Sequence, residues 1–150
     1  MEARNLDLEL VGFYERRDRE RGIFFTQEAI EERNPTSVVD LFDGLPGVRI
    51  VIQQGIRRAV ALAGRRAMSL IYDPKTDPST PCWPAVWMNG MLVHQGAAEE
   101  PAYLEDLASP GDVAGLEIYQ SAARIPVQYN VQGACGVIVI WTRSGGGREG

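Results

Sequence analysis

The sequence is short of the residues that most protein chemistry requires. It has one histidine, His94, and two cysteines, Cys82 and Cys135, in 150 residues. A lone histidine with no cysteine or carboxylate cluster beside it is a poor general base or ligand. Two thiols and one distant imidazole are too few for a zinc site. No serine lies in a Gly-x-Ser-x-Gly elbow, and no glycine-rich loop runs into a lysine that would cradle a phosphate. Asp106, Asp112 and Glu117 have neither the spacing nor the glycine of a calcium loop. Cys135, between Ala134 and Gly136, has no evident base partner and reads as a disulfide half or a buried thiol. No acid, base and nucleophile constellation is left, so no catalytic, metal or cofactor residue is assigned and the chain reads as a non-enzyme.

Long apolar runs are also missing. None approaches the roughly 20 residues of a spanning helix, and Met1–Asn5 has no apolar signal core. The sequence as it stands predicts a soluble chain whose export signal, if it is exported, lies outside it. The net charge of −5 argues against a general phosphate-backbone binder. The arginines at 16, 17, 19 and 21, and at 65 and 66, read as solvated charges among acidic neighbours. Two cysteines fit either a reduced cytosolic chain or one disulfide outside the cytoplasm. If paired, they close a long loop, worth roughly 4 kcal/mol in the chain-entropy account.

What is present suits one domain with a real core: 45% hydrophobic and 23% charged residues. The clearest element is the last strand. Val137, Val139 and Trp141 alternate with Ile138, Ile140 and Thr142, so both faces of the strand are buried. Gly133 and Gly136 before it allow close backbone approach. Residues 144–150 form a glycine-rich, flexible tail. Leu6, Leu8 and Leu10 alternate as in a first strand, and Phe13–Gly22 reads as a loop or short exposed helix. Thr26 caps a helix through Glu32. Asn34-Pro35 opens a second, with Val38, Leu41, Phe42 and Leu45 as its apolar stripe, stopped by Gly44 and turned by Pro46-Gly47. Strands follow at Val48–Ile52 and Arg58–Leu62, with another possible at Met68–Tyr72 and a polar loop over Asp73–Pro81. Asn89-Gly90 between two apolar runs is a hairpin signal. A helical turn at Tyr103–Leu107, a Ser109-capped turn and a strand at Gly115–Tyr119 follow. Ala122–Tyr129 reads as a short helix broken at Pro126. Trp83, Trp87 and Trp141 read as core or sheet-face residues.

Four pieces, in order, resemble the plug domain of TonB-dependent outer-membrane receptors. They are the Leu45-Pro46-Gly47-Val48 turn after a helix, the Val86–Met88 strand into Asn89-Gly90, the turn and strand Asp112–Tyr119 containing Glu117, and the strand Cys135–Arg143 with Gly136 and Thr142. The resemblance spans about Thr26 to Arg143. It implies an α+β fold: a small mixed β-sheet with short helices packed on it. It divides the chain into a lead-in (1–25), a plug-like domain (26–143) and the tail (144–150). In the family this domain lies inside a β-barrel, blocks its pore until TonB pulls on it, and serves ligands that are scarce nutrients such as iron chelates.

The resemblance therefore implies a ligand-binding and gating role, a barrel in cis or a protein partner, TonB as a further partner, and a place in the outer membrane or periplasm. It also implies that Cys82 and Cys135 pair, since each lies just upstream of a motif strand of one sheet. The departures are Asn89-Gly90 for the usual Asp-Gly, no Arg-Gly before the central loop, no clear TonB-contacting box, and no barrel segments after Arg143. They keep a second reading open: a free-standing extracytoplasmic interaction module that pairs an exposed sheet edge with a partner strand or binds a ligand through its loops.

Overall fold

A computed structural model of the chain describes residues 5–19, 22–53, 56–62, 83–96, 101–132 and 134–143. The possible strand Met68–Tyr72, the loop Asp73–Pro81, Cys82, Gly133 and the tail lie outside the described residues.

The closing strand is the middle of the fold, as its two apolar faces require. β7 (Val137–Thr142) lies between β6 (Val113–Tyr119) and β4 (Ala85–Met88) in a five-stranded sheet, with β1 (Ile23–Thr26) and β5 (Met91–His94) at its edges. The order is β1-β6-β7-β4-β5. β4 runs parallel to β7 and every other neighbouring pair is antiparallel, so the sheet is mixed. A separate hairpin joins β2 (Val48–Gln53) to β3 (Arg57–Leu62). The architecture is the expected one: a small mixed sheet with short helices packed on it.

Alternation along β7 divides the core in two. Ile138 and Ile140 face one layer with Leu116, Ile118, Val86 and Phe25. That layer is covered by α3 (Gln27–Arg33), by the 3₁₀ turn Val38–Phe42 and by Val60 and Leu62 of β3. Val137, Val139 and Trp141 face the other layer with Ala85, Ala114, Tyr119 and Tyr129. In β6 the register shifts between Val113 and Gly115. The bulge explains how Val113 and Leu116 share a layer although three positions separate them.

The second layer is closed by the N-terminal segment, which departs from the sequence reading. Leu6–Leu10 is a helix, α1, and not a strand. Asn5 caps it, its Oδ1 accepting from the N–H groups of Asp7 and Leu8 at 2.8 and 3.2 Å. Only Leu8 faces inward, while Leu6 and Leu10 are exposed, so the three leucines share no sheet face. α2 (Phe13–Asp18) is a helix with a buried side, since Phe13 and Tyr14 lie in the core. Phe13 packs edge-on against Tyr14 and Phe24, and Phe24 against Tyr119.

The stripe Val38, Leu41 and Phe42 is fully buried, but its turn begins later than Asn34. Ser37 is its cap, in a reciprocal capping box with Asp40. Asn34 instead ends α3 in the left-handed conformation at φ 48°. Thr26 caps α3 as read, its Oγ1 accepting from Ala29 N–H at 3.1 Å. Two 3₁₀ turns, Ala122–Arg124 and Val127–Tyr129, flank Pro126.

Candidate functional site

The sharpest chemical feature is a carboxylate with no exposed surface. Glu117 stands mid-strand on β6 and is 0% exposed. Arg16 of α2 reaches it bidentately, Nε to Oε1 and Nη2 to Oε2, both at 2.8 Å. The Tyr119 hydroxyl donates to Oε1 at 2.6 Å and Trp141 Nε1 to Oε2 at 2.7 Å. Four donors thus meet two oxygens. Arg16 Nη1 also donates to Val11 O at 2.8 Å, and its guanidinium lies 5.3 Å from the Tyr129 ring centroid.

The electrostatics follow from this geometry. Burial alone would lower the Arg16 pKa, but the hydrogen bonds and charge of Glu117 outweigh it and raise the value. Burial, then the Glu117 charge and hydrogen bond, push the Tyr119 phenol far above its ordinary range, so it stays a neutral donor. A carboxylate held by four donors, with no exposed oxygen, offers nothing to a substrate. Its work is to fasten α2 to the sheet.

Apart from Glu117, the residues of the sequence motifs fall into three separate places. Asn89 and Gly90 adopt φ 53° and 86°, as a two-residue hairpin turn requires. Asn89 Nδ2 donates to Thr142 Oγ1, and Thr142 N–H donates back to Asn89 Oδ1, both at 2.9 Å. The hairpin turn and the end of the closing strand are therefore one unit. At the other end of β7, Gly136 has φ 100°, and a Cβ there would lie 2.8 Å from Leu62 Cδ1 and 2.9 Å from Tyr119 O. Next to it, Cys135 N–H donates to Trp83 O at 3.1 Å. Among the described residues no cysteine is free. Leu45, Pro46 and Gly47 are apart from both: Leu45 packs on the first core layer, Gly47 turns at φ 75°, and Pro46 O accepts from Gln120 Nε2 at 2.7 Å.

Two further features lie at the surface. A cleft of about 670 Å³ opens between Glu15, Arg16, Arg19 and Tyr119 on one side and residues 123–128 on the other. The edge strand β5 presents Met91, Leu92 and Val93 to solvent. His94 Nδ1 accepts from Gly96 N–H at 3.1 Å. Among the described residues no three His, Cys, Asp or Glu side chains are placed to hold a metal, and no helix is long and apolar enough to cross a membrane. Sequence reading missed the Arg16–Glu117 pair. The available signal was a charged residue in the middle of a strand whose other positions are apolar on both faces.

No protein-family model matches the chain, and no curated protein matches its sequence. Its fold has solved counterparts. The chain is similar to the ferric enterobactin receptor (PfeA) of Pseudomonas aeruginosa, in a mutant bound to enterobactin, with a TM-score of 0.55 and 19% identity over 83% of this chain. A second mutant of that receptor gives a TM-score of 0.57 and 18% identity over 85% of this chain. In both cases the match spans 18% of the receptor chain. At these identities the likeness is one of fold.

Proposed function

We propose that this chain is a plug-like, non-catalytic domain of a TonB-dependent outer-membrane nutrient receptor, which binds ligand and gates passage. One observation carries the reading: most of this chain overlays a minor part of a ferric enterobactin receptor. The motif residues support it. Asn89 and Thr142 tie the hairpin to the closing strand, and Gly136 admits Leu62 where a side chain would clash. The partners on this reading are a β-barrel in cis and TonB, the ligand is a scarce nutrient, and the location is the cell envelope.

The same reading pairs Cys82 with Cys135. Cys135 N–H bonds the carbonyl of Trp83, the residue that follows Cys82 in the sequence. Thiol titration of the native protein is expected to find no free thiol, and two after reduction. The reduced form loses roughly 4 kcal/mol of stability. Two titratable thiols in the native protein would contradict the pairing.

Fractionation of source cells, probed with an antibody to this domain, tests the functional reading. A large outer-membrane band that shifts on boiling, as barrels do, is the expected result. A band near 16.5 kDa in the soluble extracytoplasmic fraction would overturn the receptor reading and leave an interaction module that pairs through an edge such as β5.

A further inference from the structure

The cleft beside α2 is built from the wrong charges for a chain of net −5. Arg16, Arg19 and Arg124 line it, with Glu15 as its one acidic wall residue among those described. Arg16 is matched internally by Glu117, so the balance of the opening rests on Arg19 and Arg124 against Glu15. Arg19 meets Glu15 at 3.2 Å, with both side chains more than 60% exposed. Such a pair contributes little and gives way to a better-matched anion. Arg124 forms no ion pair among the described residues.

The far wall of the cleft is held by hydrogen bonds, and Arg19 and Arg124 are exposed. The turn bearing Arg124 is closed by its own N–H to Ser121 O at 3.0 Å, and the following turn by Tyr129 N–H to Pro126 O at 2.9 Å. Trp87 Nε1 then anchors that second turn through Tyr129 O at 3.1 Å. Ile125, Pro126 and Val127 give the wall an apolar strip, and Val127 is 91% exposed with nothing over it. A concave site of several hundred Å³ with an apolar wall and a few convergent polar groups has the form of a small-molecule site. Guanidinium forks suit carboxylate and phosphate oxygens.

We propose that this cleft binds a small anion bearing two or more carboxylate or phosphate groups, held by Arg19 and Arg124 beside the wall Ile125–Val127. The site is formed by the N-terminal segment and the turns after β6. It goes beyond the receptor reading and does not depend on it.

Calorimetric titration of the whole chain with citrate and with pyrophosphate, at low salt, tests it. The expected result is saturable one-site binding of at least one probe, weakened about tenfold by Arg124→Gln and by Arg19→Gln. Arg49→Gln, on the β2–β3 hairpin away from the cleft, leaves the affinity unchanged. Because Arg19 and Arg124 are exposed, the thermal midpoint of each variant serves as a folding control and should not move. Preference for citrate assigns the carboxylate class, and preference for pyrophosphate the phosphate class. No saturable binding of either probe, or binding that Arg124→Gln leaves untouched, would overturn the proposal.

Discussion

One face of the five-stranded sheet is closed by apolar, mostly aliphatic side chains from α3, the 3₁₀ turn Val38–Phe42 and β3. The other is closed by α1 and α2, with an aromatic cluster around a buried ion pair. The first closure is non-directional: Leu116, Ile118, Ile138 and Ile140 need only matching volume above them. The second is directional, because Glu117 is satisfied only while Arg16, Tyr119 and Trp141 all point at it. An aliphatic layer tolerates exchange of one hydrophobe for another. A buried carboxylate does not tolerate the loss of its cation.

The two faces should therefore fail differently. Arg16→Met is the largest expected effect, about 4 kcal/mol in urea unfolding, because it strands a buried charge. Adding Glu117→Leu to that variant should recover part of the loss, since no charge is then left to solvate. Leu116→Ala, on the aliphatic face, should cost about 3 kcal/mol through lost burial and a cavity, and no second truncation there should recover it. Recovery on both faces, or on neither, would erase the contrast.

Where the faces meet at the end of the sheet, the expected effects are smaller. Asn89→Ala should cost about 1–2 kcal/mol, losing two hydrogen bonds to Thr142 and a residue suited to positive φ. Asn89→Gly should cost less, because it loses the bonds and keeps the turn. The smallest effect is electrostatic and lies over the first face. Asp40 is held below the usual aspartate range, first by its hydrogen bond from Arg58 and then by the N–H groups of Ser37 and Thr36, against an opposing desolvation. A depressed carboxylate stabilises the fold above its unfolded value, near pH 4. That contribution fades as the pH falls through the lower, folded value. Asp40→Asn should flatten this acid limb and leave the neutral-pH aromatic signal of the second face unchanged.

The contrast also explains what the sequence let a reader see. The closing strand was legible because Val137–Trp141 is apolar on both faces, which only a central strand satisfies. The Asn89-Gly90 turn and the Thr26 cap were legible because each is local chemistry within four residues. The stripe Val38–Phe42 was legible as a buried face, though its start at Ser37 was hidden behind Asn34, an equally good cap that the fold uses to end α3. The second face was not legible. α1 spends one leucine of three on the core, too few for a periodic stripe. The partners of its ion pair stand 101 positions apart, and no local rule links Arg16 in a charged run to Glu117 in a strand. The arginine cleft was hidden for the same reason, being formed from α2 and a distant turn.

A double-mutant cycle on Arg16 and Glu117 tests most directly the claim that the N-terminal segment is fastened to the sheet by this pair. Stabilities of the parent, Arg16→Met, Glu117→Leu and the double variant would be measured by urea unfolding. The two single losses together should exceed the loss in the double variant, with a coupling of about 2–3 kcal/mol. Losses that add to within about 0.5 kcal/mol would show that the two residues do not hold each other, and would contradict that claim.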